Sequence, residues 1–279
     1  MDPTTVEFES SGIVVRGDRH GHPDHPPVVF LHGGGQTRHS WGATASELAR
    51  HGWLTYNVDA RGHGDSDWAP GGDYRLDMFA EDVVSVVDRI GEPPVLVGAS
   101  LGGLASIVAL GRLRPGLARG LVLVDSLPTL EKAGTDRIGE FLRAHLVDGF
   151  ASLDEAAAAV AAYNPHRPKP PAPEGLRKNL RERDGRWFWH WDPAFVGGSS
   201  PAAALNEAYM VECAVAIDVP ILVVRGRMSD VVSEDKARAF VEQLPNAEFV
   251  DVAGAAHMVA GDRNDVFTAA VVDFLERLG

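Results

Sequence analysis

The residues best suited to breaking a covalent bond lie in Val97-Gly98-Ala99-Ser100-Leu101-Gly102-Gly103. Here Gly-x-Ser-x-Gly follows an apolar run over residues 95–97 and precedes a helical pattern over 101–114, the strand–turn–helix context this motif requires. A serine at the tip of such a turn stands clear of the sheet. Glycines two residues to either side let strand and helix pass without a clash. The helix amino terminus just behind the serine favours developing negative charge. Ser100 is therefore the expected nucleophile, and the N–H of Leu101 an expected oxyanion donor. A second glycine-rich turn, Leu31-His32-Gly33-Gly34-Gly35-Gln36, follows the apolar run 28–31. Its backbone can approach a bound carbonyl, with the N–H of Gly34 as second donor. His32 is expected to brace that loop.

A serine hydroxyl needs a base. Of the eleven histidines, only His257 is both late in the chain and at the end of an apolar run, in Gly254-Ala255-Ala256-His257-Met258. An acid must hold its imidazole in the right tautomer. Asp230 follows the run 221–225, with room for a helix, a strand and a loop before His257, and topology favours it. Asp125, at the end of the run 121–125, is the alternative.

The elements that must position these residues read as an α/β pattern. Short apolar runs at 28–31, 54–59, 95–97, 121–125, 221–225 and 248–252 alternate with helical stretches at 40–51, 76–90, 101–114, 234–244 and 265–278. An opening hairpin over 6–9 and 12–16 completes an expected eight-stranded, mostly parallel sheet with helices on both faces. The alternation stops at Leu127. Residues 1–126 and 202–279 are the expected core, and 127–201 an expected helical lid inserted after the sixth strand. Within it 135–148, 152–163 and 174–183 look helical, joined by a stiff stretch with Pro165, Pro168, Pro170, Pro171 and Pro173. An insertion there would cover the carboxyl ends of the strands, where open α/β sheets bind ligands. Trp187, Trp189, Trp191, Tyr163 and Trp41 are candidate pocket residues, although aromatics also serve simply to pack a lid onto a core.

The net charge of −13 repels phosphate backbones and anionic membranes, which argues against either as partner. A single cysteine, Cys213, rules out an intrachain disulfide. With no basic-then-apolar leader and no apolar run of spanning length, a cytoplasmic location is expected. The cluster His20, His22 and His25 falls in a Pro- and Gly-broken connection, a poor frame for tetrahedral ligation, so no metal is expected. The glycine-rich loops lack a phosphate-loop lysine and a full dinucleotide fingerprint. Neither metal nor organic cofactor is called for.

Together with His32-Gly33-Gly34-Gly35 and Gly98-Ala99-Ser100-Leu101-Gly102-Gly103, the block Asp59-Ala60-Arg61-Gly62-His63-Gly64-Asp65-Ser66 resembles the α/β-hydrolase superfamily. The block is similar to the Asp-x-Arg-Gly-x-Gly-x-Ser stretch of the branch holding epoxide hydrolases, haloalkane dehalogenases and cofactor-free haloperoxidases. The resemblance implies a structural role for that loop. Epoxide hydrolases and haloalkane dehalogenases carry aspartate at the elbow; Ser100 here implies an acyl intermediate instead. The implied activities are carboxylesterase, lactonase or the perhydrolysis of the haloperoxidase-like members, on a small, fairly apolar ester or lactone. Carbon–carbon bond hydrolases and ligand receptors on the same fold are the rival readings.

Overall fold

The computed structural model describes residues 3–167, 171–197 and 206–278. Its ten strands are β1 (Thr4–Ser10), β2 (Ile13–His20), β3 (Pro27–Leu31), β4 (Leu54–Val58), β5 (Val95–Ala99), β6 (Gly120–Val124), β7 (Leu180–Arg183), β8 (Arg186–Trp189), β9 (Ile221–Gly226) and β10 (Ala247–Val252). Eight form one sheet in the order β1-β2-β4-β3-β5-β6-β9-β10. The pairs β1/β2 and β2/β4 are antiparallel, and every other neighbour is parallel. This is the mostly parallel eight-stranded sheet the sequence pattern predicts and the architecture the resemblance to α/β-hydrolases implies, and all eight expected strands are in it.

The central strands are buried throughout because helices cover both faces. Alternate side chains divide between two cores. Val29, Leu31, Leu96, Leu121 and Val223 pack on one side, under α2 (Leu76–Ile90), α3 (Leu101–Val108) and α7 (Glu207–Val215). Val28, Phe30, Val97, Val122 and Val224 pack on the other, under α1 (Gly42–Arg50) and α10 (Asn264–Arg277). The period-2 split of one apolar run onto two faces follows from the strand pleat. α8 (Glu234–Glu242) connects β9 to β10, and the single turn α9 (Val259–Asp262) precedes α10.

Between β6 and β9 the chain adds no strand to this sheet among the described residues. It forms α4 (Lys132–Arg143), α5 (Leu153–Tyr163), the β7/β8 hairpin and the short α6 (Ala194–Gly197) before α7. Pro168, Pro170 and the expected boundary at residues 201/202 lie outside the described residues. The helix expected over 174–183 is not formed. A turn of tight helix, Pro173–Asn179, leads instead into β7, which pairs antiparallel with β8. The reason is local. Asp184 (φ 51°) and Gly185 (φ 73°) make a two-residue turn between Arg183 and Arg186. Asp-Gly is the dipeptide that such left-handed hairpin turns prefer.

The Asp59–Ser66 loop is held by buried charge. Arg61 makes a bidentate ion pair with Asp82 on α2 (2.7 and 2.6 Å), both buried. Asp59 accepts the backbone N–H of Arg38 (2.7 Å) and of Asp65 (3.0 Å) and pairs with the Arg38 guanidinium. Ser66 Oγ donates to Asp59 O (2.6 Å) and accepts from Arg16 N (2.8 Å). Removing one partner of a buried pair strands the other. Arg61→Ala is expected to destabilise the fold by about 3–5 kcal/mol in urea unfolding, and Arg61→Met with Asp82→Leu by much less. Equal losses in both variants would contradict a stranded charge as the cause.

Candidate active site

Ser100 stands between β5 and α3 at φ 46°, ψ −114°, in a region that side-chain-bearing residues rarely occupy. The turn is held by close backbone approach. A Cβ at Gly98 would lie 2.5 Å from Gly103 N, and one at Gly102 would collide with the carbonyl of Leu31. The glycine requirement read from the motif is thus met at both positions. Ser100 N donates to Val124 O (3.1 Å), and Ser126 Oγ donates to Ser100 O (2.8 Å), so the elbow is tied to the end of β6.

His257 lies in the loop between β10 and α9. Its Nδ1 donates to Asp125 Oδ2 at 2.7 Å. Asp125, the alternative read from the sequence, takes the place expected for Asp230. It follows β6 directly at φ 46° and is buried. It also accepts the N–H of Gly226 (3.2 Å) and the hydroxyl of Ser229 (2.5 Å). Ser229 Oγ in turn accepts from Val231 N (3.1 Å) and Val232 N (3.2 Å).

Asp230 turns the other way. It makes a bidentate pair with Arg137 on α4 (2.7 and 2.9 Å) at the half-exposed surface. Burial raises its pKa most, but the hydrogen bonds and charge of Arg137, with smaller contributions from a backbone hydrogen bond and His257, together hold the carboxyl below the usual range. The preference for Asp230 is therefore corrected: it is bound to an arginine, and Asp125 is bound to the histidine. β6 is the immediate neighbour of the elbow strand β5, with Ala99 opposite Val124. Ser100 and Asp125 consequently emerge side by side.

The glycine loop after β3 reaches the same place. A Cβ on Gly33 would touch Ser100 Cβ at 3.3 Å. Of the three consecutive glycine N–H groups, that of Gly33 donates to Gln36 Oε1 (3.3 Å) and that of Gly35 to His63 Nε2 (3.0 Å). The N–H of Gly34 has no protein acceptor among the described residues, nor has that of Leu101. Both residues line the cavity that holds Ser100 and His257.

Several residues that hold this geometry were not singled out in the sequence. Gln36 spans the site, with Nε2 3.2 Å from Met258 Sδ beside the histidine. His32, the expected brace, donates from Nδ1 to Gly33 O (2.8 Å) and accepts Ala60 N–H at Nε2 (2.9 Å). His63 donates from Nδ1 to Arg61 O (2.9 Å), and His190 Nδ1 accepts Gly64 N–H (2.8 Å). Asp262 accepts Ala256 N–H (2.9 Å) and the side chains of His166 (2.9 Å) and Arg167 (2.7 Å). His32 was singled out as the brace; of the others, only Gln36 and His63 carried a signal, through their places in the 31–36 turn and the Asp59–Ser66 block.

The cavity has a volume of about 370 Å³. Of the five aromatic candidates, Trp41, Tyr163 and Trp189 line it. Trp41 also packs against Phe30 and Phe267, while Tyr163 stacks on Phe141 at 4.2 Å. Trp187 and Trp191 do not line it. Trp187 sits on the hairpin under the Arg177 guanidinium, and Trp191 is buried behind Trp189, stacked at 4.8 Å. Trp187 and Trp189 are two residues apart on β8 and share a face of the strand, so alternation does not separate them; Trp187 lies nearer the hairpin turn, away from the cavity.

A family model of the alpha/beta hydrolase fold matches residues 26–263. The chain belongs to the α/β-hydrolase family. It is a hydrolase with esterases among its relatives. It is 31% identical over 215 residues to an esterase of Mycobacterium tuberculosis, covering 75% of this chain and 68% of that one. It is also 31% identical over 237 residues to 2-(acetamidomethylene)succinate hydrolase of Mesorhizobium japonicum, with 80% and 79% covered. A non-heme chloroperoxidase of Streptomyces lividans is 27% identical over 92% of this chain and 94% of its own. Among solved structures, an E-2-(acetamidomethylene)succinate hydrolase superposes with a TM-score of 0.85 over 99% of this chain and 100% of its own, at 23% identity. Among the described residues no helix is long and apolar enough to cross a membrane.

Burial pushes the His32 imidazole down to about 4 and that of His63 to about 3, and holds His190 well below its ordinary value. All three are neutral in the fold. As pH falls below about 6.5 the unfolded chain takes up these protons first, so stability is complete above that pH and is lost from there toward 4 and below. Each imidazole contributes up to about 1.4 kcal/mol per pH unit in that window. Urea unfolding at pH 7.5 and pH 5 is expected to show this loss, with a shallower dependence in His63→Asn. An identical pH dependence in the two proteins would contradict the assignment.

Proposed function

We propose that the protein is a serine esterase that cleaves a small, mostly apolar carboxylic ester or lactone through an acyl-enzyme, with 127–201 serving as a lid over the site. The observation that carries this reading is the His257–Asp125 hydrogen bond in the cavity wall that also holds Ser100 and two unclaimed backbone N–H groups. Asp125 keeps the proton on Nδ1 of His257 and leaves Nε2 as the basic nitrogen. Ser100 Oγ attacks the ester carbonyl while Nε2 takes its proton. The N–H groups of Gly34 and Leu101 bind the oxyanion, and donors of this kind contribute about 3–4 kcal/mol each in other hydrolases. The imidazolium then protonates the leaving alcohol. Water, deprotonated by the same nitrogen, attacks the acyl carbonyl and releases the acid.

The relatives named as esterase, non-heme chloroperoxidase and 2-(acetamidomethylene)succinate hydrolase set the order of the substrate panel: esters and lactones first, then peracid formation and (acetamidomethylene)succinate. With p-nitrophenyl esters, Ser100→Ala is expected to lower kcat by about 10⁴-fold or more, and Asp125→Asn by about 10³–10⁴-fold. Asp230→Asn is expected to stay within about threefold, since it loses only a half-exposed ion pair. A larger loss in Asp230→Asn than in Asp125→Asn would reverse the assignment of the acid. A fully active, folded Ser100→Ala protein would end the serine reading.

A further inference from the structure

The chain carries 39 acidic side chains against 26 Lys and Arg, yet the cavity wall reverses that balance. Among the described residues lining it are Arg143, Arg167 and Lys178, and no aspartate or glutamate. Their neighbours on the same elements are paired: Lys132 with Asp136 and Arg137 with Asp230 on α4, and Arg177 with Glu174 beside Lys178. Arg143 and Lys178 form no ion pair among the described residues. Arg167 spends its Nε on Asp262 (2.7 Å), while its Nη2 is buried against Gly261 without an acceptor among the described residues.

Three cations gathered at a concave surface repel one another, and the field they focus attracts an anion. The rest of the wall is largely apolar, with Leu130, Ile138, Phe141, Leu142 and Val160. Arginine is suited to a planar or tetrahedral oxyanion, because its donors form a fixed fork.

We propose that the cavity takes an amphipathic substrate: an aliphatic acyl chain whose far end carries an anionic head, carboxylate or phosphate, held by Arg143, Arg167 and Lys178. As a statement about substrate it rests on the esterase reading; as a statement about binding it stands without it. The rival account is that these side chains are merely solvated at the cavity mouth.

Calorimetric titration of the Ser100→Ala protein at low salt separates the two, with hexanoate, pentyl phosphate and 1-hexanol as ligands. At least one anion is expected to bind about tenfold or more tightly than the alcohol, and the tighter anion names the head group. That advantage should shrink as salt is raised and disappear when Arg143→Gln and Lys178→Gln are added, with folding checked by circular dichroism. Binding no tighter than 1-hexanol, undetectable binding of both anions, or an advantage that survives in the double variant would overturn the proposal.

In the Ser100-containing enzyme, the ratio of kcat/KM for a p-nitrophenyl hemiadipate to that for p-nitrophenyl hexanoate should fall about fivefold or more in the double variant. If neither ester is turned over, the esterase reading fails while the titration still decides the anion site.

Discussion

Asp125 is a carboxylate with almost no access to water, and the site depends on how it is satisfied. A charge in that position is tolerated only when it is paired and hydrogen-bonded. It has three donors, the Gly226 N–H at the end of β9, the Ser229 hydroxyl just after it and His257 Nδ1 after β10. The same contacts that lower the cost of burying Asp125 therefore bring the β9 and β10 loops to the end of β6. Because β6 pairs with β5, they also bring His257 to the wall that holds Ser100. One buried carboxylate couples four strand ends.

The glycine loop after β3 follows the same principle with neutral groups. Three glycines in succession offer three N–H donors and little inherent rigidity. Gln36 and His63 occupy the outer two, His32 fixes the carbonyl of Gly33, and the Gly34 N–H is left without a protein acceptor among the described residues. Preorganisation here consists of removing alternatives. The supporting histidines are held in turn by the Asp59–Ser66 loop, which Arg38, Arg61 and Asp82 fix through buried ion pairs. Such networks contribute more to a defined geometry than to net stability, since desolvation offsets much of the attraction.

The sheet was legible because its central strands are buried on both faces and so read as unbroken apolar runs, each ended by a turn or helix signal. That Ser100, Gly34, Leu101 and His257 would line one cavity was legible, because backbone conformation and chain order dictate where they emerge. The choice between Asp125 and Asp230 was not. Both follow a strand at the carboxyl edge of the sheet, and the difference lies in Arg137, whose approach from α4 depends on how the chain between β6 and β9 folds back. That segment was also the hardest to read. The Asp184-Gly185 turn marks its hairpin, but the surrounding Leu, Arg and Glu suggest a helix. Trp187 and Trp191 share their composition with Trp189, and only the packing of the folded chain separates lining from support. The reversal of charge at the cavity wall has no counterpart in the linear sequence, because Arg143, Arg167 and Lys178 come to line one cavity only in the fold.

The central claim is that Ser100 is an activated nucleophile whose base is oriented by Asp125. Covalent labelling by a fluorophosphonate, read by intact mass over time, addresses it without any knowledge of the substrate. The account predicts one stoichiometric adduct on the native chain, none on Ser100→Ala, and markedly slower labelling of Asp125→Asn than of Asp230→Asn. Labelling that persists in Ser100→Ala, or that slows only in Asp230→Asn, would contradict it.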